Sequence, residues 1–282
     1  MKPYVKLMRP KHWVKNVFVI APLLFSGRYF ELDSDLRTAV AFVVFCLVAS
    51  ATYAMNDIFD VDSDRAHPTK STSRPIAAGT VSIKGAWRLF GFLIAAAAAL
   101  LFLFPALVPV VAAYLLLQVA YNLYLKRQPV IEFFSVALGF VLRVYAGAFS
   151  IEVPVSKWMF VTTFSLALFL ASVKRFQELK NRGDNSRKVL AFYSVAFTQR
   201  VAEISGTLAV VFYSFFTIAA RPAFIYTIPV VVFGLIRYWY VAEQNSAGES
   251  PTDLLLRDKQ LLLACALLVF MVAWSLLTNV QG

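Results

Sequence analysis

The segment Asn56-Asp57-Ile58-Phe59-Asp60-Val61-Asp62-Ser63-Asp64 sets four carboxylates and an amide at the end of a long apolar run. Carboxylates are expensive near a bilayer, so a cluster there points to function. On a helix, Asn56, Asp60 and Asp64 recur every fourth residue and drift only about 80° around the axis. Asp57 adds a ligand at the edge of that face, and Asp62 points elsewhere. Hard oxygen donors on one face suit Mg²⁺, which keeps several waters and bridges to substrate phosphates. The competing reading is a solvated helix end capped by acids, although a helix end rarely needs so many on one face.

Basic residues stand close behind. His67, Lys70 and Arg74 follow the acids in the same loop. Arg binds phosphate through paired hydrogen bonds and Lys as a point charge, so beside a metal–carboxylate site they imply a polyanionic ligand. Neutralising the acids or holding lipid headgroups is the alternative. Tyr121, Tyr124 and Lys126 close another apolar run, either as interfacial anchors or as site groups. Lys174, Arg175 and Glu178 end a third. The stretch Arg9-Pro10-Lys11-His12-Trp13-Val14-Lys15-Asn16 precedes the first run. It reads as a membrane-surface anchor, or as a strand of chain from which Arg9, Lys15 and Asn16 reach the same pocket. Glu132 and Arg143 share one run. They lie on one helix face about 16 Å apart along the axis, so each pairs with another helix rather than with its neighbour. An intramembrane Arg faces the bundle interior or a water-filled cavity. A structural salt bridge and a substrate contact both fit it.

The elements that must position these groups are membrane helices. The chain of 282 residues is 60% hydrophobic, with a mean hydropathy of +0.68, above the range of soluble domains. Nine apolar runs reach spanning length, at about 14–30, 36–58, 86–104, 106–124, 129–150, 157–177, 200–220, 222–241 and 260–279, the first being the weakest. Backbone polar groups must be satisfied internally in lipid, which here means helices. The runs are close-set, so residues 1–282 form one integral membrane domain, all-α, a bundle of nine transmembrane helices. With the N-terminus in the cytoplasm, the inner segments carry 22 Lys/Arg and the outer ones 4, with Arg143 inside a span. That asymmetry puts the N-terminus and the Asp cluster on the cytoplasmic side of the inner (cytoplasmic) membrane. The loops at about 61–85, 176–199 and 242–259 lie on the same side and are expected to cap the site.

The net charge of +11 arises in those loops and suits anionic headgroups. The basic residues are too dispersed for nucleic acid. Cys46 and Cys265 sit inside apolar runs and read as small core residues, and the two histidines have no metal-ligand spacing. No Walker loop, GxSxG or GxGxxG occurs.

Together these residues resemble the UbiA-type intramembrane prenyltransferase superfamily. Asn56-Asp57-x-x-Asp60-x-x-x-Asp64 is similar to its first Asp-rich motif, and Tyr121-x-x-x-x-Lys126 to its YxxxxK motif. His67-Pro-x-Lys70, followed by Arg74-Pro-Ile-Ala-Ala-Gly79, matches its first cytoplasmic loop. The resemblance implies the nine-span fold of that superfamily over the whole chain. The second Asp-rich motif of the prenyl-transferring members is missing, and Lys174-Arg175-x-x-Glu178 stands in its place. With Arg-Pro-x-x-Trp-x-Lys-Asn at Arg9 to Asn16, this resembles the phosphoribose-transferring branch, the decaprenyl-phosphate phosphoribosyltransferases. That branch implies an intramembrane Mg²⁺ enzyme of the cell envelope. Its donor is phosphoribosyl pyrophosphate and its acceptor a polyprenyl phosphate, decaprenyl or undecaprenyl. The implied roles give the metal to Asn56, Asp57, Asp60 and Asp64, with Lys126 beside them. Arg9, Lys15, Asn16, His67, Lys70, Arg74, Tyr121, Tyr124, Arg143, Lys174, Arg175 and Glu178 are the implied substrate residues. Aromatic prenylation of a quinone or haem precursor is the alternative on the same fold, and a lipid transporter or scaffold the alternative without chemistry. The helix-face argument predicts that Asp60→Asn abolishes activity in a folded protein while Asp62→Asn is mild. Equal losses in a transfer assay would overturn it.

Overall fold

The computed structural model describes residues 2–180, 188–244 and 251–279. Residues 181–187 and 245–250, parts of two of the loops expected to cap the site, lie outside the described residues. Every regular element described is helical. The long helices are α1 (Leu32–Phe59), α2 (Ile83–Leu103), α3 (Val108–Leu123) and α4 (Ile131–Ser150). They continue with α5 (Lys157–Lys180), α6 (Val195–Ala220), α7 (Ile228–Gln244) and α8 (Lys259–Asn279). All eight are apolar and long enough to cross a membrane, α3 and α7 once the short turns leading into them are counted. The starts follow from the sequence. Ser82 and Ser194 cap α2 and α6, each hydroxyl accepting a backbone N–H at 3.0 Å, which satisfies donors a helix start leaves unpaired. Pro105 and Pro222 open the turns before α3 and α7, where a missing N–H does no harm.

α1 and α4 form the centre. Two thirds of each span is buried (67%), against 17–44% for the other six. α1 packs along α2, α4 touches α3 and α5, and α5 lies along α6. The outer helices turn large apolar side chains outward, among them Phe92, Phe102, Leu116, Ile204, Ile236 and Leu263. In a chain of this composition that surface faces lipid, because hydrocarbon accepts what water would reject.

The expected span at about 14–30 is not one helix. Residues Pro10–Val19 wind as a 3₁₀-helix and Ala21–Ser26 as a short α-helix, with Pro10 and Pro22 at their openings. Proline removes a helix donor and clashes with the preceding turn, so Pro22, inside the expected span, excludes a continuous α-helix there. Gly27, at φ 81°, ends it in the left-handed conformation. The described bundle is therefore eight spans plus a broken N-terminal segment. That segment is packed against α1 and α4 rather than laid on the surface. Gly147 of α4 permits this. A Cβ there would stand 1.8 Å from the carbonyl oxygen of Val19.

Gly147→Ala is expected to lift the segment off α4 and lower the thermal midpoint in detergent by several degrees, since overpacking costs about 1–3 kcal/mol. Gly91→Ala, with nothing within 4 Å of the added Cβ, is expected to change it little. Equal midpoints for the two variants would refute the close approach.

Candidate active site

One cavity of about 690 Å³ joins two unlike environments. Its polar end is walled by Arg9 and Lys15 of the N-terminal segment, Asn56 of α1, Arg74 of the following loop, Tyr121 of α3, and Lys174 and Arg175 of α5. Its apolar end lies between α5, α7 and α8, with Leu166, Phe169, Leu170, Leu235, Leu261 and Leu268 on the wall. The same void can therefore hold a charged head and a hydrocarbon chain.

Asp57 organises the polar end. It is 1% exposed, and Arg9 and Arg74 both donate to its Oδ1. Arg9 also lies over the Tyr53 ring, 5.0 Å from its centre. The Arg9 backbone is left-handed, at φ 53°. Such a conformation costs about 1–3 kcal/mol in a residue with a Cβ and persists where the surroundings impose it, here through Asp57 below and Pro10 after.

The other acids are arranged differently from the expected single helix face. α1 ends at Phe59, and Asp64 belongs to the separate turn Val61–Arg65. Asp57, expected at the edge of the face, is the innermost acid. Asp60 is partly exposed and accepts from Lys126 Nζ at 2.6 Å, a contact that carries Tyr121-x-x-x-x-Lys126 onto the Asp segment. Asp64 is buried, 3.8 Å from Arg74. Burial pushes its carboxyl above the usual carboxylate range, with the charge of Lys70 opposing. Asp62 is 97% exposed, as expected. The break has a simple cause. The acids turn to Arg9, Arg74 and Lys126, and those cations come from three different elements.

The donor chemistry fits a hard divalent cation. Oδ2 of Asp57 and Oδ2 of Asp64 are buried without a hydrogen-bond partner, and Asn56 offers an amide oxygen beside them. Asn56 faces the cavity, whereas Asp57, Asp60 and Asp64 stand behind Arg9, Arg74 and Lys126. Among the described residues no three His, Cys, Asp or Glu side chains gather as a metal centre. The oxygens are of the right kind, and the resident arginines and lysine hold them apart.

On α5, Arg175 and Glu178, both expected as substrate contacts, are bonded to each other and Arg175 also to Glu132. Arg175 gives a two-pronged bond to Glu132 of α4, Nε and Nη2 each at 2.9 Å, and Nη1 meets Glu178 at 2.5 Å. All three nitrogens are taken. Lys174 also approaches Glu178, at 3.8 Å, and lines the cavity. Tyr193 supports the same corner. Its oxygen accepts the N–H of Val130 at 2.7 Å, and burial pushes its hydroxyl up to about 12, so it stays protonated. Val130 is left-handed at φ 66°, and that bond holds it there.

Arg143 and Asn16 meet, as neither could be seen to do from spacing. Arg143 Nε donates to Asn16 Oδ1 at 2.8 Å, and Nη2 to the Tyr114 hydroxyl at 3.0 Å. Tyr124 is 60% exposed and does not line the cavity. His67 is buried, and its Nδ1 accepts the N–H groups of Thr69 and Lys70 at 3.3 Å. It shapes the loop that carries Arg74, and neither it nor Lys70 lines the cavity. Sequence reasoning missed Tyr53, Tyr114, Gln118 and Asn122, all cavity-lining. The last three recur every fourth residue in an apolar run, a polar stripe that could have shown them.

A profile of the UbiA prenyltransferase family matches residues 17–254, and the chain belongs to that family. More particularly, it is similar to proteins named decaprenyl-phosphate phosphoribosyltransferase. It is 36% identical over 278 residues to that of Mycolicibacterium smegmatis, covering 91% of this chain and 87% of the relative. To that of Corynebacterium glutamicum it is 35% identical over 287 residues, covering 96% and 86%. Its fold superposes on a UbiA homolog from Archaeoglobus fulgidus solved with GPP and Mg²⁺. The TM-score is 0.73 at 18% identity, covering 97% of this chain and 99% of that one.

Glu132→Gln is expected to destabilise strongly, by about 3–5 kcal/mol, because it weakens the hold on a fully buried guanidinium. Glu178→Gln, at a half-buried position, is expected to do much less. Thermal unfolding of the two variants in detergent checks this, and a reversed order would refute it.

Proposed function

We propose that this chain transfers 5-phosphoribose from phosphoribosyl pyrophosphate to a polyprenyl phosphate, releasing pyrophosphate. The observation that carries it is the single cavity with a cation-walled polar end and a long apolar end. The names of the relatives over nine tenths of the chain support the same reading. A phosphate oxygen of the acceptor attacks ribose C1, and the C1–O bond to pyrophosphate breaks. Pyrophosphate leaves with the electron pair, and no proton need move. The task left to the protein is to hold two anions together against their repulsion. Arg9, Lys15, Arg74 and Lys174 are the proposed cations for it, with Tyr121 beside them. Lys126 is proposed to set Asp60. Asn56, Asp57, Asp60 and Asp64 would hold Mg²⁺, which would offset the charge of the leaving pyrophosphate. For that, Arg9 and Arg74 must pass from Asp57 to the incoming phosphates. The polyprenyl tail would follow the apolar wall of α5, α7 and α8.

The proposed setting is the inner membrane, with the polar end toward the cytoplasm, where phosphoribosyl pyrophosphate is available. Aromatic prenylation is the second reading of the same family. A prenyl diphosphate has one charged end and leaves several of these cations without a task. A lipid transporter or scaffold leaves the buried acids without one.

Phosphoribosyl pyrophosphate with Mg²⁺ is expected to raise the thermal midpoint, since a ligand bound only by the folded state stabilises it. Geranyl diphosphate is expected to do so less. Productive turnover of a prenyl diphosphate, with no response to phosphoribosyl pyrophosphate, would transfer the assignment to aromatic prenylation.

A further inference from the structure

Arg143 lies well inside an apolar run, and it is 5% exposed. Arginine cannot shed its proton in a protein. A buried charge is normally paired. Arg175, buried to the same degree, has two carboxylates. Arg143 has none among the described residues. Its partners are the Asn16 amide oxygen, the Gly139 carbonyl and the Tyr114 hydroxyl, all neutral. The rings of Tyr114 and Phe140 lie 5.0 and 5.3 Å from its guanidinium carbon. These contacts orient the group and leave its full charge uncompensated.

That charge lines the cavity. Beside it Gly139 leaves a notch. A Cβ there would stand 3.7 Å from both Arg143 Nη1 and Gln118 Nε2. Guanidinium, carboxamide and phenol converge on the notch, a set rich in donors. Nη1 bonds the carbonyl one turn back, at 2.7 Å, so the head sits level with Gly139. Glu132, with Arg175 on it, is seven positions earlier, or about 10 Å along α4. The cavity therefore has cationic groups at two depths along α4, Arg175 on Glu132 at the outer station and Arg143 level with Gly139 at the inner. The outer station has the acids and their oxygens, which suit a metal-bound pyrophosphate. The inner has a lone arginine and neutral donors, which suit a monophosphate.

We propose that Arg143, with Gln118 and Tyr114, seats the 5′-phosphate of the sugar-phosphate donor. The inference rests on the phosphoribosyl-transfer reading and adds which residue recognises which phosphate. A polyprenyl monophosphate has one charged end, which must lie next to ribose C1, and so does not reach down to this station.

The test uses two fragments of the donor with the full-length protein in detergent. Ribose 5-phosphate carries only the inner phosphate, and pyrophosphate with Mg²⁺ only the outer group. Both are expected to raise the thermal midpoint of the unaltered protein. Arg143→Gln is expected to lose the response to ribose 5-phosphate and keep that to pyrophosphate. Its KM for phosphoribosyl pyrophosphate should rise about tenfold or more, as for a lost hydrogen bond to a charged group, with the KM for the lipid phosphate unchanged. Gly139→Ala, whose Cβ makes only ordinary contacts, should weaken the ribose 5-phosphate response in a protein of normal stability. Retention of that response in Arg143→Gln would overturn the proposal, as would parallel loss of both responses with Gly139→Ala unaffected. If phosphoribosyl pyrophosphate itself fails to stabilise the unaltered protein, the reading of function falls rather than the assignment of the subsite.

Discussion

A charge inside a membrane protein has to be answered locally, because neither lipid nor a dry interior solvates it. Asp57 meets that requirement with two guanidiniums. Its carboxylate draws in Arg9 from the N-terminal segment and Arg74 from the loop after α1. Three stretches far apart in sequence are thus held at one point. The left-handed backbone of Arg9, the inward fold of the broken N-terminal segment and the placement of the Arg74 loop all follow from it. Without Asp57 two guanidiniums would face each other at the cavity mouth.

A second pin works on the far wall. Glu132 and Glu178 hold Arg175 in a triad that ties α4 to α5. The two pins play one part on opposite sides of the cavity. Each fixes arginine in the wall while leaving lysine, Lys15 or Lys174, on the lining. Lysine is the more mobile point charge, and arginine the more directional group. The arrangement keeps a positive lining in place before any ligand arrives.

The apolar end answers to a different demand. α7 and α8 are buried over only 22% of their spans, and they contribute most of its far wall together with α5. Helices that touch lipid on one face and a cavity on the other suit a substrate that is itself part lipid. The centre of the bundle, α1 and α4, is where backbones approach closely, as Gly147 and Val19 do, and there the precise positions of polar groups are set.

Much of this was legible in the residues themselves. Composition and run length determine the helical membrane bundle, since only helices satisfy their own backbone in lipid. The side on which chemistry is expected follows from the distribution of Lys and Arg. Asp57, Asp60 and Asp64 with Lys126 are local motifs, visible because their spacing is short. Pro22 was equally visible, and it accounts for the break in the first run. What the tertiary structure decided is which charges meet. Asp57 with Arg9 and Arg74, Glu132 with Arg175, and Arg143 with Asn16 are separated by 17 to 127 positions. Electrostatic pairing acts through space and carries no period along the chain. The helix period could show that Glu132 and Arg143 face the same way. Only the packed bundle could give Glu132 an arginine from α5 and leave Arg143 without a carboxylate among the described residues.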